Sequence, residues 1–94
     1  MKVAYPVIFT DVDTNILIEV PDLGIITEAN EEGKAKGTMA DAIMMARDAI
    51  GINCIEAEDN GKKIIKPSEI YDIDVSKGTF YSEGQMILSL VELV

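Results

Sequence analysis

The chain has 94 residues, of which 48% are hydrophobic and 27% are charged. This length fits one domain, and the composition excludes a disordered chain and, since no apolar run approaches ~20 residues, a transmembrane helix. The net charge of −9, from 17 acidic and 8 basic residues, disfavours binding to nucleic acid phosphates or anionic lipids. One cysteine, Cys54, and no histidine exclude an internal disulfide, a structural zinc site and His-dependent nucleophilic catalysis. Because the sequence shows no secretory signal and its one thiol cannot form an internal disulfide, we expect a cytoplasmic protein. We expect no metal or other cofactor.

The excess of acidic over basic residues is concentrated in the N-terminal third of the chain. Residues 1–33 contain a single base, Lys2, and seven acids: Asp11, Asp13, Glu19, Asp22, Glu28, Glu31 and Glu32. This distribution has two interpretations. It is either an acidic surface that keeps a small protein soluble, or a surface that selects a basic partner through charge complementarity.

The first third of the sequence predicts three strands. Residues 2–10 are rich in β-branched and aromatic side chains, and residues 16–20 and 24–29 are two further apolar segments, as expected for strands. A polar turn at residues 11–15 and a Pro-Asp-Leu-Gly reversal at residues 21–24 separate them. Because both connections are short, we expect an antiparallel meander.

A charged loop at residues 30–37 precedes the clearest helix signal. Thr38 is placed to cap the helix, with Asp41 three residues on in a capping-box position. Apolar residues at steps of three and four predict a core-facing stripe: Met39, Ala42, Ile43, Ala46, Ala49 and Ile50. Gly51 is a natural stop, but the apolar pattern resumes beyond it, so we expect the helix to run to about Glu58.

The remaining sequence predicts a turn at residues 59–63, an extended segment at 64–68 and a strongly apolar last strand at 86–94. The result is a single α+β domain over residues 1–94, with element order βββαβ, spatial strand order 3-2-1-4 and the helix packed on one face. Its third and last strands need a right-handed crossover if they are parallel. Pro6 would lie in the central first strand, which requires a position without a ladder hydrogen bond or a bulge.

The predicted sheet also suggests self-association. One helix covers only one face of a four-stranded sheet, and the first and last strands are apolar nearly throughout. We therefore expect the other face, or an edge strand, to meet a second copy in a homodimer or higher homo-oligomer.

Several acidic and sulfur-containing side chains are candidates for a catalytic, metal-binding or partner-binding role. Asp11, Asp13 and Glu19 offer carboxylates that could hold Mg²⁺ in a nuclease, although Asp-x-Asp at a strand end is also ordinary turn chemistry. Asp72 and Asp74 have the same two interpretations. Cys54 is expected to be a small buried hydrophobe. Met44 and Met45 flank the helix stripe, where they either pack at the edge of the core or form an adaptable surface for a partner. The basic residues form no patch, since Lys34 with Lys36 and Lys62 with Lys63 are only pairs at loop tips, so no direct nucleic acid binding is expected.

Several segments, taken together and in order, resemble the HicB-like antitoxin family. They are Tyr-Pro-Val-Ile-Phe at residues 5–9, Pro-Asp-Leu-Gly at 21–24, Thr-Met-Ala-Asp-Ala at 38–42, Ile-Lys-Pro-Ser at 65–68 and the final apolar strand. The chain departs from the family pattern in three places. Leu23 is followed directly by Gly24 without a second proline, residues 31–36 are extra, and Asp41 replaces the Glu at the helix start.

The resemblance implies a partial RNase H-like βββαβ domain that neutralises HicA, a small basic toxin that cleaves mRNA. Many members add a C-terminal DNA-binding domain, and the chain stops where that domain would begin. We therefore expect toxin binding without operator binding. The alternatives are a metal-dependent nuclease that uses Asp11, Asp13 and Glu19, and an oligomeric scaffold whose partner is itself.

On this interpretation the partner contact lies on the turn at residues 21–24 and on the loop before the helix. The predicted contact residues, none of them catalytic, are Asp22, Leu23, Glu28, Glu31 and Glu32. The acids would speed association with a basic partner, and Leu23 would be an apolar anchor unless it packs beneath the hairpin as a core residue.

Overall fold

The computed structural model describes residues 3–31 and 33–93, and Lys2 and Val94, the predicted outer ends of the first and last strands, lie outside them. Within this part of the chain, four strands and one α-helix follow one another as β1 (Val3–Asp11), β2 (Ile16–Val20), β3 (Ile25–Glu28), α1 (Met39–Asp59) and β4 (Gln85–Leu93). Three short 3-10 turns accompany them, at Pro21–Leu23, Ile70–Asp72 and Val75–Lys77. The predicted element order βββαβ is confirmed.

The four strands form one sheet in the order β3-β2-β1-β4, as the sequence predicts. All three pairings are antiparallel, so β3 and β4 run in opposite directions and the condition for a right-handed parallel crossover does not arise. The reversal between β2 and β3 is a 3-10 turn that ends at Gly24, whose φ of 63° lies in the left-handed region. Glycine adopts this conformation without a steric penalty.

Pro6 is accommodated in the central strand without a bulge. It pairs with Leu90 inside an unbroken register between β1 and β4. The register of β1 with β2 begins only at Ile8↔Glu19, so Pro6 lies beyond the end of β2. Because proline has no N–H to donate, its backbone must point to the side where no ladder hydrogen bond is needed.

One face of the sheet packs against α1. Tyr5, Val7 and Phe9 alternate along β1 towards this face and form a core with helix side chains spaced four residues apart: Ala42, Ala46, Ile50 and Cys54. The small residues Ala42 and Ala46 allow the helix backbone to approach the strands closely. Cys54 is buried, which confirms the prediction of a small buried hydrophobe.

The prediction for Ile43 is wrong. Its side chain is 36% exposed, whereas Ala42, Ala46 and Ile50 are fully buried. Ile43 lies one residue, or about 100°, around the helix from Ala42, and this rotation moves it off the core face. It belongs instead to a neighbouring row at steps of four that runs alongside β4: Ile43, Arg47, Gly51 and Ile55. Within this row, Arg47 donates to the Glu92 carbonyl and a Cβ on Gly51 would touch Leu93.

The middle of the second face of the sheet is covered by the chain itself. Pro6, Ile8 and Thr10 point away from the helix and are all buried. The segment that covers them, residues 62–84, crosses from α1 to β4 around the end of the sheet, and we call it the strap. Because the strap occupies the middle of this face, less of it is free to meet a second copy, and the predicted self-association through this face or an edge strand stays a prediction.

Two carboxylates on the β2–β3 hairpin hold the strap. Asp22 accepts hydrogen bonds from the Ser68 N–H (2.7 Å) and hydroxyl (2.7 Å). Glu19 accepts from the Thr79 N–H (2.9 Å) and hydroxyl (2.8 Å). Each carboxylate thus satisfies one backbone and one side-chain donor, and hydrogen bonds to a charged acceptor are stronger than neutral ones.

Candidate functional site

The acidic end of the sheet is the candidate binding surface, defined by Asp13, Glu28 and Glu31. These residues come from the turn after β1, the last position of β3 and the loop that follows. They line an open pocket of ≈ 400 Å³ together with Lys34 and Lys36. The turn after β1, the end of β3 and the following loop place three carboxylates and two ammonium groups around one depression, so the pocket carries a negative excess.

Asn15 fixes the loop that carries Glu31. Its side chain is buried; its amide nitrogen donates to the Asn30 carbonyl at 2.9 Å and its amide oxygen accepts from the Gly37 N–H at 3.2 Å. A Cβ at Gly37 would lie 2.7 Å from the Cβ of Ala29, so the loop returns too closely for any larger residue. The sequence predicts only a turn at Asn15, because the buried side chain's role depends on a contact with Gly37 that no local pattern indicates.

The charges at the acidic end are unevenly available. Asp11 forms an ion pair with Lys36, and both side chains are substantially exposed, so the pair adds little stability. Asp13 and Glu31 are exposed, and Glu28 is half-buried. The pairing neutralises Lys36 and leaves the carboxylates of Asp13, Glu28 and Glu31 as the dominant charge of the pocket.

The structure separates the predicted contact residues into two groups. Glu28 and Glu31 share the acidic end, whereas Asp22 and Leu23 lie in the turn at the opposite end of β2. That strand has five residues, which span ~16 Å at ~3.3 Å per residue. Glu32 lies outside the described residues, so its position relative to either group stays a prediction.

Asp22 and Leu23 both have structural contacts. The Asp22 carboxylate is occupied by the two donors of Ser68. Leu23 is half-buried and packs against the core, which is the alternative that the sequence left open for it. These contacts hold the turn in one conformation, and they leave the Asp22 carboxylate less available to a partner than the sequence predicts.

The three carboxylates of the nuclease hypothesis are not brought together. Asp11 pairs with Ile16, a core residue on the helix face, whereas Glu19 pairs with Ile8 on the strap face. Side chains alternate along a strand, so Asp11 and Glu19 point to opposite faces of the sheet. Within residues 3–31 and 33–93, no group of three His, Cys, Asp or Glu side chains could hold a metal ion.

Asp74 has a local structural role. It caps the 3-10 turn Val75–Lys77 by accepting hydrogen bonds from Ser76. The hydroxyl of Ser76, then its N–H, and then the nearby Lys77 lower the pKa of Asp74 below its ordinary value. Its carboxylate is therefore engaged in turn formation. Asp72 lies in the preceding 3-10 turn and lines a separate pocket with Asp74 and Glu19.

The whole chain has the fold of a chain from a toxin–antitoxin complex of Streptococcus pneumoniae, with a TM-score of 0.76 and 19% sequence identity. The likeness covers 100% of this chain and 70% of that chain, and at this identity it establishes a shared fold. No protein-family model and no curated protein matches the sequence, so the HicB-like assignment stays a prediction. Among the described residues, no helix is both long and apolar enough to cross a membrane.

Proposed function

We propose that this chain is an antitoxin-type binding module that neutralises a small, basic, mRNA-cleaving toxin of the HicA kind by direct contact in the cytoplasm. The observation that carries the proposal is the likeness of the whole chain to a chain of a toxin–antitoxin complex. The HicB-like sequence pattern supports it independently, because its segments fall on the first strand, the β2–β3 turn and the helix start of this fold.

The acidic end supplies the charge that a basic toxin would meet. Asp13, Glu28 and Glu31 surround one pocket, and Glu32 follows directly in the sequence. Rim charges of this kind steer a partner of opposite sign and raise the association rate, while contributing less to the lifetime of the complex. We therefore assign Glu28, Glu31 and Glu32 to partner capture.

The β2–β3 turn is the second proposed contact. Its Asp22 is held by Ser68 and its Leu23 is packed at the edge of the core, so this region offers a rigid shape. A preformed contact loses little entropy on binding. The part of the half-buried Leu23 side chain that stays exposed is the proposed apolar contact, which lengthens the lifetime of the complex, in contrast to the acids at the other end.

The test measures the kinetics of binding between this chain and the product of the neighbouring reading frame, for which the proposal predicts a small basic ribonuclease, at two salt concentrations. The triple variant Glu28→Lys, Glu31→Lys, Glu32→Lys should lower the association rate at low salt by about tenfold or more and flatten its salt dependence. Leu23→Ala should chiefly raise the dissociation rate.

A matched triple variant separates local contact from net charge. Glu56→Lys, Glu58→Lys, Asp59→Lys makes the same charge change at exposed positions at the far end of α1, and it should have a much smaller effect. Equal effects of both triple variants would show that only net charge matters and would remove the acidic end as the contact. Absence of binding by the unaltered chain would contradict the proposed function.

A further inference from the structure

The two edges of the sheet differ sharply. β3 has four residues and ends in Glu28, whereas β4 has nine residues, of which only Glu92 is charged. The register of β4 with β1 runs without a break from Val3↔Leu93 to Asp11↔Gln85. Within the described residues, no strand pairs with the outer side of β4. Natural sheets shorten, charge, kink or cover such an edge, because an exposed apolar edge strand invites pairing with another chain.

Pro6 determines which backbone groups of β4 point outward. Because Pro6 has no N–H, its pair with Leu90 cannot exchange hydrogen bonds, and pairs alternate along an antiparallel ladder. The even-numbered residues of β4 therefore direct their N–H and C=O groups to the free edge: Met86, Leu88, Leu90 and Glu92. The Glu92 carbonyl agrees with this assignment, since it accepts from Arg47 Nε at 3.0 Å instead of from β1.

Exposed apolar side chains border this edge on both sides of the sheet. Ile87 is 46% exposed on the helix side, and Leu90 is 49% exposed on the strap side. Ile43 and Ile55 extend the helix-side border, because they belong to the row of α1 that runs alongside β4. Tyr71 on the strap is almost fully exposed and lines one depression with Leu90.

We propose that β4 pairs with β4 of a second copy about a two-fold axis at Ser89, which joins two sheets into one of eight strands. A register centred on Ser89 places Leu88 opposite Leu90 and Met86 opposite Glu92 of the other copy. These are the outward-facing residues, so every free N–H of the edge gains a partner. On the helix side, Ile87 meets Val91 and the two Ser89 side chains meet each other.

Charge and area favour a second copy as the occupant. The chain carries −9 overall, so two copies repel over most of their surfaces, and this charge-poor edge is where they can meet. In the proposed register Glu92 faces Met86, and no like charges lie opposite each other. An edge ~30 Å long and ~20 Å deep, counting sheet and helix, is about 600 Å² per copy, which reaches the lower end of stable interfaces.

The test uses the self-pairing of residue 89. Because Ser89 meets its own equivalent at ~4.5 Å between Cα atoms in a pair without hydrogen bonds, either Ser89→Asp or Ser89→Lys places like charges together. Each variant alone should weaken dimerisation by about tenfold or more, and an equimolar mixture of the two should restore it. Thr14→Asp and Thr14→Lys, in the exposed β1–β2 turn, are the matched controls and should leave dimerisation unchanged.

Sedimentation equilibrium is the readout, with circular dichroism to confirm that each variant folds. The unaltered chain should sediment at twice 10.2 kDa at micromolar concentration. A folded monomer there, a dimer that neither Ser89 variant weakens, or a mixture that stays monomeric would overturn the proposal. So would β4 amides that become protected from hydrogen exchange only when the basic ribonuclease is added, since that result assigns the edge to the toxin.

Discussion

The two faces of the sheet are covered by different physical means. On one face, α1 buries the side chains of Tyr5, Val7 and Phe9 in an apolar core. On the other, the strap has only two 3-10 turns of regular structure and is held by hydrogen bonds to Asp22 and Glu19. The stability of the helix-side face therefore depends on the volume and polarity of its buried side chains, whereas the strap depends on a few hydrogen bonds. Changes to the first should unfold the domain, and changes to the second should loosen one segment.

The largest effect is expected for a charge in the helix-side core. Ala46 is fully buried, so Ala46→Asp places a carboxylate without a partner in the core and should lower the free energy of unfolding by on the order of 4 kcal/mol. Ala40→Asp, at an exposed position in the first turn, is the control and should be neutral or slightly stabilising. Urea unfolding of both variants measures the difference, and equal midpoints would show that Ala46 does not face the core.

The next effect separates the two helix rows. Ile50 is fully buried whereas Ile43 is 36% exposed, so Ile50→Ala should cost about 2–5 kcal/mol of unfolding free energy and Ile43→Ala clearly less. Ile52→Ala, at a more exposed position on the same helix, provides a baseline for the loss of an exposed side chain. A cost for Ile43→Ala as large as that of Ile50→Ala would contradict the orientation of α1.

Removal of the strap bonds should have a smaller and more local effect. Asp22→Ala leaves the Ser68 N–H, which is partly buried, without its acceptor, at a cost of about 1–3 kcal/mol. Glu19→Ala removes bonds that are exposed to solvent, so water replaces them and the cost should be lower. Limited proteolysis should cut the strap faster in Asp22→Ala, and Asp13→Ala, which alters an exposed acid away from the strap, is the control. Unchanged cleavage would show that Asp22 does not hold the strap.

The smallest effect concerns the helix cap. Thr38 and Asp41 form a reciprocal capping box, and Thr38→Ala should cost about 1 kcal/mol of unfolding free energy. The Thr38 N–H and then its hydroxyl lower the pKa of Asp41. A carboxyl whose pKa is lower in the folded state stabilises above its unfolded pKa of about 3.9 and loses that contribution as pH falls through the folded value. The stability difference between the unaltered chain and Asp41→Asn should therefore shrink below about pH 4, and a difference independent of pH would contradict the box.

The elements of the fold could be predicted because their signals are local. The turn at Pro21 and Gly24, the cap at Thr38 and the alternation of β1 depend on neighbouring residues. The stripe on α1 could be predicted only in part, because Ile43 lies four residues after Met39 and three before Ala46 and so fits the pattern, although its side chain lies off the core face. Only contact with β4, through Arg47 and Glu92, shows on which side of Ala42 the core lies.

The strap could not be predicted, and neither could the arrangement of the candidate site. Ser68 and Thr79 bond to carboxylates that lie 46 and 60 residues earlier in the chain, and no periodicity encodes such pairs. The sequence predicts a free charge at Asp22, because a sequence shows the residue type and not its partner, Ser68. Glu28 and Glu31 line the same pocket because only Ala29 and Asn30 separate them in the chain.

Neutralisation of the toxin tests the central claim most directly. The product of the neighbouring reading frame, for which the proposal predicts a small basic ribonuclease, is incubated with mRNA, and cleavage is followed while the chain is added in increasing amounts. If the chain is an antitoxin-type module, cleavage should fall in proportion to the chain added and stop near equimolar amounts, and the Glu28, Glu31, Glu32 triple reversal should require a large excess. Full cleavage in the presence of excess folded chain would contradict the account.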